Sequence, residues 1–434
     1  MQTRDGEVDE SGTYFPGGGP GHPGAGTGDQ SDKGRGEKMK QAVVLIGMNG
    51  YGEHYLSALL QREDILFAGI VEIHPERSKL LELVKQRGVP VYATMEAFYQ
   101  QSRADLAIIA TPIHLHTEQA ILALRHGSNV LCEKPIFADM RDRRQWEDAI
   151  QESKKWAAIG FNWSFTAPIL ELKEDILKGV YGRPKQLKTL VLWPRDEAYF
   201  SRSSWAGKLH APDGRQIRDS VANNAAAHFI HNMLYMLGGN LQGTVNIKRL
   251  EAELYRANDL ETFDTCAIRL HTEEGCELLF YGSHATETEQ GPQFQYSFEK
   301  GDIVYDCNLD QGLITAYMED GQQKVYGNPQ ANHLDKLDYC IKALTDDRDI
   351  PCTNETALGH AAIIEALHQD TRAAQPFPDD LVGKTETNIR VVMDLDQTMN
   401  MCYRSGKLPH ELQVAWSKPA FQADVDAELQ KGSV

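Results

Sequence analysis

The stretch at residues 41–53, QAVVLIGMNGYGE, constrains the fold of this chain more than any other. Apolar residues from Ala42 to Ile46 lead directly into a glycine-rich turn, and a helix-compatible segment follows. A buried strand that ends in such a turn leaves unpaired backbone N–H groups and the positive end of a helix dipole at one point. Such a point binds phosphate groups. The stretch therefore predicts the start of a nucleotide-binding α/β domain.

The turn departs at one position from the dinucleotide fingerprint Gly-x-Gly-x-x-Gly. Gly47 and Gly52 match the first and third glycines, whereas Asn49 stands at the second. Asn tolerates positive φ better than other non-glycine residues, and Gly50 beside it lets the backbone approach a pyrophosphate. By itself the motif is also consistent with an ordinary glycine-rich turn between a strand and a helix.

An acidic residue after the next apolar segment strengthens the dinucleotide interpretation. Residues 67–72 read as a second strand, and Glu72 follows the turn at about the 20-residue distance at which an acid bonds a ribose hydroxyl. A carboxylate at this position also repels the 2′-phosphate of NADP. NAD is therefore the expected cofactor, and Arg77 nearby leaves NADP as the less favoured alternative.

Strand and helix patterns alternate over residues 41–162. Short, wholly apolar segments between amphipathic helices are typical of a parallel sheet covered on both faces, which is the doubly wound Rossmann architecture. Strands are predicted at residues 42–46, 67–72, 89–92, 106–110, 129–132 and 157–161, and helices at 54–62, 75–86, 95–101, 117–126 and 139–155.

Two of these strands end in residues suited to a ligand. Thr111 and Pro112 follow one strand, and Glu133-Lys134-Pro135 follows the next. Ligands of open α/β sheets lie outside the carboxyl ends of the strands, so Lys134 is expected beside a nicotinamide. A solvated surface charge is the competing interpretation for any single lysine.

The pattern changes after about residue 163. Long alternating segments predict a substrate-binding and oligomerisation domain of the α+β class over residues 163–380, with an open, mainly antiparallel sheet. Residues 381–434 form an extension whose apolar stripe is expected to pack on the main body or across a subunit interface. Strands are predicted at residues 186–193, 244–255, 262–271, 276–283, 293–299, 303–308 and 312–318, and helices at 220–237, 333–344, 355–371 and 391–403.

The helix predicted at residues 220–237 carries an unusual polar stripe. Asn224, His228 and His231 stand at i, i+4 and i+7 on one face, and Tyr235 continues the row. Two imidazoles and an amide on an otherwise apolar helix predict a face that lines a cavity or an interface. A histidine satisfied within the core is the competing interpretation.

A substrate site is expected where this helix and a long loop at residues 194–218 meet. Aromatic rings and guanidinium groups of the loop suit a sugar ring, although an ordinary interface loop fits equally well. The expected substrate contacts are Lys134, Asn162, Trp193, Arg195, Tyr199, Arg202, Trp205, His228 and His231.

Composition limits the partners and the compartment. The formal net charge of −18 argues against nucleic acid and anionic membranes, and no apolar run approaches the ~18 residues that span a bilayer. Seven cysteines without a C-x-x-C spacing indicate neither a zinc site nor a disulfide framework, so no metal and a reducing, cytoplasmic compartment are expected. Residues 1–40, rich in Gly, Pro and charge, predict a disordered tail that lacks the apolar core of a signal peptide, and Met39 offers an alternative start.

Residues 39–380 resemble the glucose-fructose oxidoreductase, inositol dehydrogenase and MocA family (Gfo/Idh/MocA). The resemblance rests on VVLIGMNGYG, DLAIIATPIHLHTEQAILALRHGSNVLCEKP and AAHFIHNMLYMLGG. It implies a Rossmann domain with an open-sheet α+β domain, NAD(P), a sugar or polyol substrate, and a homo-oligomer, dimer or tetramer, built through the open sheets. The expected cofactor contacts are Gly47, Asn49, Gly50, Tyr51, Gly52, Glu72, Thr111, Pro112, His116, Glu133 and Lys134.

The resemblance also implies a catalytic set. In the family the lysine of Glu-Lys-Pro touches the nicotinamide ribose and the substrate, and Asp-x-x-x-His on a helix supplies an acid/base pair. Lys134 and His228 match, but Asn224 replaces the aspartate, and His231 stands where an acid is common. Because an amide cannot stabilise an imidazolium, His228 is expected to act as a neutral base whose ring Asn224 orients.

Three functions are compatible with these features. The first is an NAD(P)-dependent dehydrogenase that acts on a CH–OH group of a sugar, polyol or glycoside. The second is a redox-neutral enzyme that retains NAD and performs elimination, epimerisation or glycoside cleavage. The third is a non-catalytic nucleotide-binding sensor, which only the missing aspartate supports.

Overall fold

The first domain is a doubly wound α/β fold. The computed structural model describes residues 40–369 and 374–431, so nearly all of the predicted tail lies outside the described residues. The elements of this domain are β1 (Gln41–Ile46), α1 (Gly52–Leu60), β2 (Ile65–Val71), α2 (Leu81–Gln86), β3 (Val91–Tyr92), α3 (Met95–Gln101), β4 (Leu106–Ile109), α4 (His116–Arg125), β5 (Asn129–Cys132), α5 (Arg143–Ser153) and β6 (Ala157–Ile159).

Within the described residues, these six strands form a parallel sheet in the order β3-β2-β1-β4-β5-β6. The central strands β4 and β5 are buried along their whole length, as their unbroken apolar sequences require. Strand order reverses between β1 and β4, so the crevice for a ligand opens at the carboxyl ends of these strands. The predicted Rossmann sheet is confirmed.

The second domain combines helices with a large mixed sheet. Its elements are α6 (Ala167–Leu177), β7 (Pro184–Leu192), α7 (Glu197–Ser201), α8 (Ala227–Met236), β8 (Ile247–Arg256), β9 (Thr265–Thr272), β10 (Glu277–Ser283), β11 (Gln290–Phe298), β12 (Gly301–Asp306), β13 (Ile314–Met318), β14 (Gln323–Gly327), α9 (Asp335–Ala343), α10 (Asn354–Leu367), β15 (Ala374–Pro376), β16 (Val382–Lys384), β17 (Arg390–Val392), α11 (Leu395–Ser405), β18 (Phe421–Asp424) and α12 (Val425–Lys431).

In the described part of the chain the large sheet has ten strands, in the order β14-β13-β12-β11-β7-β10-β9-β8-β15, and β18 also pairs with β8. Strand β10 is parallel to β7, and β15 is parallel to β8, whereas the other neighbours are antiparallel. The predicted α+β class with a mainly antiparallel sheet is therefore confirmed. The short edge strands β14, β15 and β18 were not predicted, because their sequences show little alternation.

Helix α8 begins later than the sequence predicts. Residues 221–226 form turns, and the helix starts only at Ala227. The Asn223 side chain donates to the carbonyls of Ile217 (3.2 Å) and Arg218 (3.1 Å), and this side-chain pairing competes with helical hydrogen bonding. Asn224 therefore lies before the helix, so the expected helical stacking of Asn224 on His228 is wrong.

The C-terminal extension packs on the main body. Helix α11 crosses the outer face of the large sheet, where Leu395 and Met399 share an apolar cluster with Leu190 and Tyr281 of the sheet. Farther along, β18 pairs antiparallel with β8, and Arg143 of the first domain donates to the Leu429 carbonyl of α12 at 2.7 Å. No helix in the described ranges is long and apolar enough to cross a membrane.

Candidate active site

The glycine-rich turn has no room for side chains. A Cβ on Gly47, whose φ is +85°, would lie 2.8 Å from the Ala110 carbonyl oxygen, and one on Gly52 would lie 2.2 Å from that of Gly47. Gly50 takes the left-handed conformation at φ +58°, and Asn49 does not. Asn49 instead donates its amide to the His74 carbonyl at 3.1 Å. The substitution at the second fingerprint position thus leaves the tight approach of α1 to β1 intact.

Glu72 holds the other side of this turn. Its two carboxylate oxygens accept from the backbone N–H groups of Met48 (3.0 Å) and His74 (2.9 Å). The Oδ1 atom of Asn49 is buried and has no hydrogen-bond partner within residues 40–369 and 374–431. A close backbone, a carboxylate for ribose and an uncommitted buried acceptor together fit a dinucleotide.

His116 joins the loops that follow β4 and β5. Its ring lies 2.8 Å from the Thr111 carbonyl and 2.9 Å from the Pro135 carbonyl, and it is 1% exposed. Burial lowers the pKa of this histidine, and the two carbonyls oppose that shift. The expected direct contact of His116 with a cofactor is replaced by a supporting position behind Thr111 and Pro112.

The amine of Lys134 meets Asn224 at the carboxyl end of β5. Its Nζ atom donates to the backbone oxygen of Asn224 at 2.8 Å and to the side-chain oxygen at 3.2 Å. Burial lowers the pKa of Lys134 to about 8. The expectation that Asn224 orients the His228 ring is thus corrected: the amide holds the lysine.

His228 lies in the same electrostatic environment. Its Nδ1 atom is buried, and within the described chain it has no hydrogen-bond partner. Burial, followed by the positive charges of Lys134 and Lys336, lowers the pKa of His228 well below its ordinary value. The lowered pKa favours the neutral ring, and its causes are burial and the two lysines rather than the neighbouring amide.

The remainder of the predicted polar stripe belongs to the core. His231 is 1% exposed, stacks on Phe161 with ring centroids 3.9 Å apart, and pairs with the Ser164 hydroxyl at 3.1 Å. Tyr235 donates to the Leu241 carbonyl at 2.7 Å. Of the two predicted alternatives, a cavity or an interface, these two residues follow the second, because α8 turns this side toward the first domain and α6.

Glu133 is satisfied by residues of both domains. Its carboxylate accepts from the Tyr55 hydroxyl at 2.7 Å and from the Lys336 ammonium of α9, which is fully buried. Glu133 is 8% exposed, so these partners hold its carboxylate in the interior, and its contact with a cofactor stays a prediction. Sequence reasoning missed Lys336, because an isolated lysine on an amphipathic helix belongs to no motif.

A second ion pair fixes the long loop between the domains. Arg218 donates to both oxygens of Glu365 on α10 and to the Ala138 carbonyl of the first domain at 2.8 Å. The backbone of Arg218 is left-handed, with φ +53°. Nothing in the sequence pattern marked this pair, since its members are far apart along the chain.

The long loop covers the carboxyl ends of the Rossmann strands. Ile113 and Ala138 of the first domain form a small apolar cluster with Trp205, Ala211 and Ile217 of the loop. Beside this cluster is a cleft of about 430 Å³, with polar residues of both domains in its walls. These include His114, Asp139, Arg141, His210 and Arg215.

The expected substrate residues divide between the long loop and the core, and none of them lines this cleft. The guanidinium of Arg202 lies 3.9 Å from the centre of the Tyr199 ring and 5.2 Å from that of Trp205. Trp193, by contrast, is 3% exposed and donates its indole N–H to the Gly291 carbonyl at 2.8 Å, so its expected substrate contact is replaced by a core position. Arg195 is also buried, whereas Asn162 is half-buried.

Comparisons with known proteins agree with this architecture. Residues 41–161 match the model of the oxidoreductase family with an NAD-binding Rossmann fold (GFO_IDH_MocA). The chain is similar to the 2,7-anhydro-N-acetylneuraminate hydratase of Mediterraneibacter gnavus, with 23% identity over 45% of this chain and 49% of that protein. It is also similar to the levoglucosan dehydrogenase of Pseudarthrobacter phenanthrenivorans, with 27% identity over 30% of this chain and 32% of that one. It thus spans half or less of the length of these curated relatives.

A solved structure extends the similarity in fold over most of the chain. The WlbA dehydrogenase from Bordetella pertussis, in complex with NADH and UDP-GlcNAcA, superposes with a TM-score of 0.64. The superposition covers 77% of this chain and 97% of that one at 20% sequence identity, which shows the fold alone. The match over residues 41–161 identifies the first domain as the NAD-binding Rossmann domain of the Gfo/Idh/MocA oxidoreductases, and the superposition shows that the chain as a whole shares the two-domain fold of a solved dehydrogenase.

Proposed function

We propose that this chain is an NAD-dependent dehydrogenase that oxidises a secondary hydroxyl of a carbohydrate-like substrate, with Lys134 as the proton acceptor. The observation that carries the proposal is the Lys134 amine at the carboxyl end of β5, held by two oxygens of Asn224. A pKa of about 8 lets this amine gain and lose a proton near neutral pH.

The two Asn224 oxygens orient the Lys134 amine for proton transfer. A neutral amine that donates both of its N–H groups to them turns its lone pair toward the remaining direction, where a substrate hydroxyl can bind. In the ammonium form a third N–H occupies that direction. The same geometry therefore serves proton uptake in oxidation and proton release in reduction.

His228 supplies a second, neutral group. Its lowered pKa keeps the ring uncharged, and its Nδ1 atom is uncommitted within the described residues. Because a neutral imidazole both donates and accepts, it can orient the hydroxyl without adding a charge beside Lys134. The Arg202 and Tyr199 pair on the loop offers a planar surface to a sugar ring.

The cofactor contacts follow from the turn. Gly47, Gly50 and Gly52 would hold the pyrophosphate, and Glu72 would hold the adenosine ribose and disfavour a 2′-phosphate, which supports NAD over NADP. When bound, the nicotinamide supplies the hydride acceptor for alcohol oxidation.

The test is an assay of the purified protein with NAD and a panel that includes levoglucosan and myo-inositol, read by the absorbance of reduced nicotinamide. Lys134→Met should lower the rate by about 10²–10⁴-fold, the contribution of a positioned acid or base. Lys185→Met, a lysine near the start of β7, is the matched control. A Lys134→Met protein with the full rate would overturn the assignment.

A redox-neutral reaction with retained NAD is the second candidate. The similarity to an anhydroneuraminate hydratase favours it, and so do two contacts that tie the domains together around the crevice: the Lys336–Glu133 ion pair and the hydrogen bond from Arg218 to the Ala138 carbonyl. Two measurements separate the candidates: whether nucleotide remains bound through purification, and whether a sugar is converted with no net change in reduced nicotinamide.

A further inference from the structure

Asp219 is linked to Lys134 through the side chain of Asn224. It precedes the turns that lead into α8 and is 4% exposed. One of its carboxylate oxygens accepts from the Asn224 amide N–H at 2.9 Å, and the other accepts from the Gly207 backbone N–H at 2.7 Å. The guanidinium of Arg202 lies 3.9 Å from this second oxygen.

These contacts decide which way the Asn224 amide points. A side-chain amide has a donor end and an acceptor end, whereas a carboxylate accepts only. Asp219 must therefore take the N–H end of Asn224, which leaves the oxygen end to Lys134. Without the carboxylate, the amide could turn its N–H group toward the amine and remove one of the two acceptors on Lys134.

We propose that Asp219 is a positioning residue for the proton transfer: it fixes the Asn224 amide with its oxygen toward Lys134 and so aims the lysine amine. The inference rests on the proposed function of Lys134. Asn224 replaces the aspartate that the family has four residues before His228, and Asp219 supplies a carboxylate nearby. The carboxylate is present, but it acts on the lysine through an intervening amide.

Charged groups from several elements surround this amine. Glu133 and Asp219 favour the ammonium form, whereas Lys336 and Arg202 disfavour it, and the neighbouring His228 is neutral. Replacing Asp219 by Asn removes one negative charge from this balance. The proportion of neutral Lys134 at a given pH then rises.

Competitive labelling with acetic anhydride tests the proposal without any substrate. Only the neutral amine reacts, so the pH dependence of Lys134 acetylation, read by mass spectrometry of its peptide, gives the titration midpoint in the full-length protein. Asp219→Asn should move this midpoint to lower pH by roughly half a unit to one unit. Asp259→Asn, which removes an exposed carboxylate from the same region, should leave it unchanged.

The oxidation rate at high pH distinguishes the effect of Asp219 on the orientation of the Asn224 amide from its effect on the charge of Lys134. At a pH well above both midpoints, where Lys134 is neutral in either protein, Asp219→Asn should still be slower by about 10-fold, because the amide is no longer fixed. Adding Asp219→Asn to Asn224→Ala should cost little more than Asn224→Ala alone, since both changes act through one amide.

Several results would overturn the inference. One is an unchanged labelling midpoint, and another is a double variant whose loss equals the product of the two single losses. If Asp219→Asn fails to fold, Asn224→Ala, which keeps the contact of Asp219 with Gly207, must still lower the midpoint. An active Lys134→Met protein would instead refute the proposed function, whatever the labelling shows.

Discussion

Lys336 of α9 reaches across the domain boundary and donates to Glu133, the carboxylate directly before the proposed catalytic lysine. The ammonium is fully buried, and Glu133 also accepts from the Tyr55 hydroxyl at 2.7 Å. The second domain thus determines the electrostatics of a strand end in the first.

Removing this ammonium should destabilise the protein. Lys336→Met leaves a buried carboxylate without its cation, which costs about 3–5 kcal/mol. Denaturant unfolding measures the change, and Lys342→Met, at an exposed position on the same helix, is the control. Adding Glu133→Gln should recover part of the loss. Equal stability of the two lysine variants would show that the pair contributes nothing.

The rate of alcohol oxidation should depend on the ionisation of Lys134. Burial lowers the pKa of this lysine to about 8, so the neutral, proton-accepting form increases as the pH rises through that value. The rate should therefore rise from about pH 7 to about pH 9 and then level off. A rate that falls over this interval would mean that the charged ammonium is the active form.

Asn224→Asp should shift that profile in a defined direction. The new carboxylate would lie beside the Lys134 ammonium, raise its pKa and move the rising limb to higher pH. The pKa of His228 should change less than that of Lys134, because Asn224 hydrogen-bonds to Lys134 and Asp219. Histidine titration followed by NMR checks this point; a His228 shift larger than the Lys134 shift would restore the direct pairing that the sequence suggested.

Glu72 should set the preference between the two nicotinamide dinucleotides. Glu72→Ser removes a charge and the acceptors for Met48 and His74, and should weaken NAD binding by about 1–3 kcal/mol while NADP binding improves. Calorimetric titration with both nucleotides measures the difference, with Glu76→Ser, an exposed acid on the next turn, as the control. Tighter binding of NADP than NAD to the unchanged protein would contradict the prediction.

Helix α11 offers a matched pair of methionines. Met399 is 1% exposed against the sheet, whereas Met401 is 53% exposed. Met399→Ala should cost about 2–5 kcal/mol of unfolding free energy, and Met401→Ala less than about 0.5 kcal/mol. Similar losses in thermal or denaturant unfolding would show that the extension does not pack stably on the sheet.

The local sequence pattern predicts most strands and helices of the first domain, but few of the side-chain contacts in the candidate site. Apolar strands and glycine positions follow from short-range pattern, so β1, β4 and β5 could be predicted closely. The start of α8 could not, because it depends on Asn223 bonding carbonyls earlier in the loop. The partners of Lys134 and Glu133 also lie far along the chain, and no periodicity reports such pairing.

The edge of β8 also has a consequence for how the protein is made. Residues 421–424 pair with part of this edge, and α12 after them contacts the first domain. Strand β8 and the first domain are therefore synthesised long before the C-terminal residues that pack against them. While a ribosome is still translating residues 250–420, that part of β8 has unpaired backbone groups that can recruit another strand. We therefore expect the nascent chain to be most prone to aggregation during this interval, and a pause in translation there to lower the yield of folded protein.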